Sequence, residues 1–141
     1  MSKIIAVDFD GTIVTHDYPR IGKEIPYAIE TLLQLQREGY RLVLWTVRSG
    51  KLLDEAVDFC LQRGLEFYAV NANYPNESMD ENDSRKINAN IYIDDRNVGG
   101  LPDWGVIYQI IKGTCVAQYH TQYEIPRPKG FWARLKDAIG R

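Results

Sequence analysis

Residues 3–9 predict a strand on the apolar run Ile4-Ile5-Ala6-Val7, rich in β-branched residues, the pattern of a strand buried on both faces of a parallel sheet. Apolar positions then recur at helical spacing from Pro26 to Glu38 (Ile29, Leu32, Leu33, Leu35), with Pro26 in the first turn and Gly39 as the stop. Arg41–Thr46, RLVLWT, predicts a second buried strand. A second helix is expected over Leu52–Arg63, with Leu53, Val57, Cys60 and Leu61 inward and Gly64 at its end. Phe67–Val70 is a short third strand, and residues 71–90 are polar and turn-rich, with a short helix expected around Ser84–Asn88. Ile91–Ile93 is the fourth strand. Beyond Gly99-Gly100, Asp103 caps a helix through Lys112, with a strand over Val106–Ile111 as the alternative. Residues 114–128 read as irregular, and Phe131–Ile139 as a terminal amphipathic helix with Trp132, Leu135 and Ile139 on one face.

Strand and helix alternate, which predicts an α/β fold: a three-layer sandwich around an open, mostly parallel, Rossmann-like sheet ordered 3-2-1-4. Neither internal repeat nor linker divides the chain. The expectation is one domain over 1–141, with a core of about 1–113 and an extension over 114–141. Composition refines this little: 141 residues suit one core, and 45% hydrophobic with 26% charged residues is globular rather than disordered. A net charge of -2 gives no case for a large nucleic-acid or membrane footprint, although local basic patches keep a nucleic-acid role open. Cys60 and Cys115 lack metal-ligand spacing and read as reduced thiols of a cytoplasmic protein. The N-terminal apolar run is too short for a signal peptide, and no stretch approaches a membrane span.

The polar residues change the picture by where they fall. In an open α/β sheet, ligands bind at the carboxyl ends of the strands, near the point where strand order reverses. The first strand runs into Asp8-Phe9-Asp10-Gly11-Thr12, the second into Thr46-Val47-Arg48-Ser49, and the fourth into Asp94-Asp95-Arg96-Asn97. If strands one and four are neighbours, as many as four carboxylates converge, an arrangement that repels itself unless a cation neutralises it. Oxygen donors without Cys or His point to Mg2+, which commonly bridges carboxylates to a substrate phosphate.

A turn after Asp8 lets both Asp8 and Asp10 reach that crevice, and Gly11 supplies backbone freedom and close approach. One carboxylate can then attack phosphorus to give an aspartyl-phosphate, while the other protonates the leaving oxygen and later activates water. The Thr46 hydroxyl and the amides of Val47 and Arg48 offer donors to phosphoryl oxygens, and Lys86 offers a positive charge.

In this order the motifs resemble those of the haloacid dehalogenase superfamily of phosphohydrolases. Asp8-Phe9-Asp10-Gly11-Thr12 is similar to the nucleophile motif, Thr46 to the phosphate-binding residue, Lys86 to the stabilising lysine and Asp94-Asp95 to the acidic metal motif. Together they span residues 4–97, about two thirds of the chain. The resemblance implies Asp8 as nucleophile and metal ligand. It implies Asp10 as general acid/base, ligating Mg2+ through its backbone carbonyl. Asp94 becomes a ligand, and Asp95 a direct or water-mediated one. An acid at Asp95 points to phosphoryl transfer rather than dehalogenation. Only about a dozen residues follow Thr12 before the first helix, and roughly twenty separate strands three and four, so no cap domain fits. In this family that goes with accessible sites for macromolecular or bulky substrates, or with a lid donated by another subunit of a homo-oligomer.

Several assignments have a plainer counterpart. Thr46 also fits a simple strand end, Lys86 a surface lysine, and Arg48 a surface ion pair in place of a phosphate contact. Asp95 fits a pair with Arg96. His16, Asp17 and Arg20 read as a solvated loop, with an overhang of the site as the alternative, and Trp104 and Tyr108 read as core. The expected activity is that of a magnesium-dependent phosphomonoesterase acting on a phosphorylated substrate. Polynucleotide 3'-phosphatase activity and a non-enzymatic, receiver-like phosphoacceptor are the alternatives.

Overall fold

The structure is a computed structural model that describes residues 2–114. The expected helix over Phe131–Ile139, the remainder of the extension and Cys115 lie outside the described residues. One compact unit spans Met1–Tyr108, and a second begins at Gln109. Among the described residues no helix is long and apolar enough to cross a membrane.

Four strands, β1 (Ile4–Val7), β2 (Arg41–Leu44), β3 (Ala69–Val70) and β4 (Ile91–Ile93), form one sheet ordered β3-β2-β1-β4, as expected. Every pairing is parallel, with Val7 opposite both Leu44 and Ile93. Helices α1 (Ala28–Arg37) and α2 (Gly50–Leu61) are the β1–β2 and β2–β3 crossovers. Right-handed crossovers running in one direction along the sheet put both on the same face. Their apolar stripes (Ile29, Leu32 and Leu35; Ala56 and Cys60) are buried, as are Ile5, Val7, Leu42 and Leu44 of the sheet. A third helix, α3 (Trp104–Ile111), settles the choice between helix and strand there.

The alternate strand residues Ala6, Val43 and Ala69 form a second cluster with Ile87, and Ala72 and Ala89 pack against it. Segment 71–90 therefore covers part of this face without the expected helix at Ser84–Asn88. Its side chains bond its own backbone instead: the Asp80 N–H donates to Asp83 (2.8 Å), the Asn82 N–H to Asp80 (3.3 Å) and the Asn88 N–H to Asn73 (2.7 Å). Such local bonds compete with helix formation. The other differences are short. α1 starts at Ala28 because Tyr27 adopts φ 66 at its N-cap, and Gly39 ends it at φ 95. Trp104 is core, as expected, whereas Tyr108 is only half-buried and its hydroxyl donates to Glu38 (2.6 Å).

Candidate metal centre and cleft

β1 and β4 are hydrogen-bonded neighbours, and the Asp8 N–H continues their ladder to the Ile93 carbonyl (3.0 Å). Register alone therefore sets Asp8 beside Asp94. Past Asp8 the chain closes on itself: the N–H groups of Thr12, Ile13 and Val14 all point to the Phe9 carbonyl (3.2, 2.9 and 3.2 Å). Gly11 sits in this turn at φ 82, where a Cβ would lie 2.3 Å from an Asp95 carboxylate oxygen. Positive φ and the missing side chain are both required there.

This turn brings one oxygen from each of Asp8, Asp94 and Asp95 within 4.8 Å of one another. The Thr12 hydroxyl ties the cluster together. It lies 3.2 Å from an Asp8 oxygen and 3.3 Å from an Asp95 oxygen, and it accepts the Asp95 N–H (3.1 Å). Trp104 of α3 anchors the same turn through its indole N–H, donated to the Thr12 carbonyl (3.0 Å). Burial pushes the Asp8 carboxyl up to about 7, the Asp94 charge and the nearby Asp95 carboxyl add to the rise, and the Phe9 amide and Thr12 hydroxyl oppose it. Among the described residues, no cation figures with these groups in shifting it. Three carboxylates, no soft donor and an uncompensated charge suit a hard divalent cation such as Mg2+.

Asp10 has a different fate. Both its oxygens accept from Arg48, Nε to one and Nη2 to the other, each at 2.7 Å, and the two side chains are 8% and 0% exposed. Its side chain is thus outside the cluster of Asp8, Asp94 and Asp95, and the metal ligation that the resemblance implies for Asp10 runs through its backbone carbonyl. Arg48 is neither a phosphate contact nor a surface ion pair. Its remaining donors go to the carbonyls of Pro19 (3.1 Å), Arg20 (2.9 Å) and Leu52 (3.4 Å), so no N–H of the guanidinium is left for a ligand.

Two further residues expected at the phosphate are Lys86 and Thr46. The Lys86 side chain is exposed, and its ammonium stands 5.0 Å from the centroid of the Tyr92 ring. Tyr92 itself is fixed by donating to the Ile87 carbonyl and accepting the Ala89 N–H, which holds this stretch against the sheet. At the end of β2, the Thr46 hydroxyl oxygen accepts the Arg48 N–H (3.2 Å), and the Thr46 N–H donates to Asn71 (2.8 Å). Of that expected phosphate-binding turn, Val47 is the member on the wall of the cleft, 86% exposed.

The cleft has a volume of about 360 Å3, and Asp8, Asp10 and Asp94 are among the residues that line it. Its other lining residues are Val47, Arg96, His16 and Tyr18. His16 therefore does overhang the site, while Asp17 and Arg20 pair with each other at the surface (3.1 Å). Arg96 makes no ion pair with Asp95 among the described residues. Its N–H donates to Asp94 (2.9 Å) and its side chain is left at the cleft. Tyr18, Asn71 and the bridging role of Thr12 escaped the sequence reading. Thr12 alone carried a signal, its place inside the acidic motif.

No family model matches the chain, and no curated protein matches it. Among solved structures it is similar to that of a conserved protein from Bacteroides thetaiotaomicron. The two are 62% identical over 80% of this chain and 92% of that one, with a TM-score of 0.76.

Proposed function

We propose, for a chain that belongs to the same family as that conserved Bacteroides thetaiotaomicron protein, the activity of a magnesium-dependent phosphomonoesterase of haloacid dehalogenase type. One observation carries the reading: Asp8, Asp94 and Asp95 converge at the carboxyl ends of adjacent parallel strands, with one oxygen of each within 4.8 Å of the others. Asp8, Asp94 and Asp95 would hold Mg2+. When bound, the ion supplies neutralising charge and polarises a phosphoryl oxygen.

In this reading an Asp8 oxygen attacks phosphorus as the bond to the leaving oxygen breaks, and an aspartyl-phosphate forms on Asp8. Water then attacks that phosphorus, inorganic phosphate leaves, and the Asp8 carboxylate is restored. Asp10, in the same cleft, is the acid/base partner that the resemblance implies, with Arg48 fixing where its oxygens lie. Val47 and Arg96 border the phosphoryl and leaving groups. A cleft of about 360 Å3 walled by His16 and Tyr18 suits a small phosphomonoester better than a polymer end. The buried Cys60 thiol, pushed up to about 12 by burial, is structural, in keeping with a cytoplasmic setting.

The test is phosphate release from a panel of phosphorylated sugars and nucleotides beside a 3'-phosphorylated oligonucleotide, with Mg2+ and with chelator. Metal-dependent release from small esters is expected. Absence of release from every substrate refutes the reading, and release from the oligonucleotide alone moves it to the polynucleotide alternative.

A further inference from the structure

An arginine with a side chain 0% exposed is rare unless its partners are fully matched, and Arg48 shows how the matching is done. Its guanidinium reaches into two loops and a helix. Two bonds go to Asp10 in the nucleophile turn, two to the Pro19 and Arg20 carbonyls, and one to the Leu52 carbonyl in α2. Two rings enclose it, with its central carbon 5.2 Å from the centroid of Phe9 and 5.2 Å from that of Tyr18.

Pro19 and Arg20 belong to a narrow flap. Its arms are joined by Thr15 N–H to Lys23 carbonyl (2.7 Å), Lys23 N–H to Thr15 hydroxyl (2.9 Å) and Ile25 N–H to Ile13 carbonyl (2.9 Å). At Gly22 the arms run so close that a Cβ would lie 2.0 Å from the Thr15 carbonyl oxygen. The flap's tip carries His16 and Tyr18 to the cleft. Beyond the joined arms, the tip is tied down by the two bonds from Arg48 to its carbonyls and by the Tyr18 ring over the guanidinium.

We infer that Arg48 is a positioning residue that holds the flap of residues 15–25 on the cleft and fixes the Asp10 carboxylate with the same guanidinium. His16 and Tyr18 thereby become the wall that meets the leaving group of a small phosphomonoester. Lysine cannot replace it, since a point charge with three donors does not span two carboxylate oxygens and three carbonyls in one plane. The catalytic arm of this inference rests on the phosphomonoesterase reading, whereas its structural arm rests on the geometry alone.

The experiment has both arms. In Arg48→Met, amide hydrogen exchange of the flap is expected to quicken at least tenfold while that of β1 and β2 stays unchanged. In Arg48→Gly, kcat/KM for nitrophenyl phosphate falls at least a hundredfold. Millimolar guanidinium then restores at least tenfold of it, while urea, of like shape but neutral, restores none. Unchanged flap exchange overturns the inference, and so does activity within threefold of the parent or equal rescue by urea. Should both variants fail to fold, the parent protein decides: a slowly exchanging Arg48 Nε–H resonance supports the clamp, and one exchanging at the solvent rate refutes it. A parent without metal-dependent phosphate release sinks the phosphomonoesterase reading, and the exchange measurements still judge the clamp.

Discussion

Asp8 and Asp10 stand two residues apart in one turn, and the fold treats them in opposite ways. Asp10 is matched: both its oxygens lie 2.7 Å from the guanidinium of Arg48. Asp8 faces Asp94 and Asp95 with a shared hydroxyl as its side-chain donor, and burial pushes its carboxyl up to about 7. A matched buried acid has its position set by its partner. An unmatched one, held against two others, is an unfinished charge balance that a cation would complete, and that difference separates the carboxylate the fold itself neutralises from the ones it leaves for a ligand.

The comparison breaks most sharply under like-for-like substitution. Asp8→Asn is expected to reduce phosphate release to background with every leaving group, because no aspartyl-phosphate can form. Asp10→Asn should lose less with nitrophenyl phosphate than with an alkyl phosphate while phosphoryl transfer limits the rate, since general acid/base help is worth about 10²–10⁴-fold and a good leaving group needs less of it. Equal losses across leaving groups would remove the division of roles. Stability should move the other way. The folded state raises the Asp8 pKa from 3.8 to about 7, so its contribution favours folding below 3.8 and weakens as pH rises through that window. Without metal at pH 8, Asp8→Asn should therefore melt higher than the parent, and at pH 3.5 it should not.

Asp10→Asn gives the opposite sign at neutral pH. It leaves the fully buried Arg48 charge without its carboxylate, and breaking a buried pair from one side costs about 3–5 kcal/mol. Denaturant unfolding in chelator measures both variants on one scale. A stabilising Asp10→Asn, or a destabilising Asp8→Asn, would show that the two acids are not the contrasting pair the distances describe.

Adding the ion should erase half of the contrast. Ligand that binds only the folded state at one hundred times its Kd stabilises by about 2.7 kcal/mol. Protons compete for Asp8 up to about pH 7, so the rise in melting temperature with Mg2+ should be larger at pH 8 than at pH 5. Asp94→Asn should reduce the Mg2+ response, whereas Arg63→Gln, which loosens a surface pair with Glu24 (2.8 Å), should leave it unchanged. A response equal at the two pH values would separate metal binding from Asp8.

The half of the contrast that was legible in the sequence is the half written in residue types. Short apolar runs marked β1 and β2, and acids directly after β1 and β4 marked the cluster, because strand ends in a parallel sheet are where ligand groups gather. Arg48 was legible only as a polar residue after a strand. Its partner lies 38 positions away, and its other acceptors are backbone carbonyls of Pro19, Arg20 and Leu52, which carry no side-chain signature. Lys86 was hard to place for a related reason. Segment 71–90 has no periodicity, its backbone is fixed by Asn and Asp side chains, and the Tyr92 ring decides where the lysine stands.

The smallest effect belongs to the group that joins the unmatched acids. Thr12 has one hydroxyl hydrogen for two acceptors, at 3.2 Å from Asp8 and 3.3 Å from Asp95, so it satisfies only one at a time. Its oxygen does more, because it accepts the Asp95 N–H at 3.1 Å and so orients the acidic loop after β4. Thr12→Val keeps the volume, removes the donor and leaves that N–H without its acceptor. A net hydrogen bond of this kind contributes about 1 kcal/mol, so unfolding free energy should fall by about that much. The Asp8 carboxyl, losing a bond that lowers its pKa, should titrate higher than in the parent, and Mg2+ affinity at pH 6 should weaken more than at pH 8. Carbon-detected NMR titration of the Asp8 carboxyl and calorimetric Mg2+ titration at the two pH values measure this. An Asp8 that titrates lower in Thr12→Val, with unchanged Mg2+ affinity, would show that the hydroxyl does not serve the charged form of the cluster.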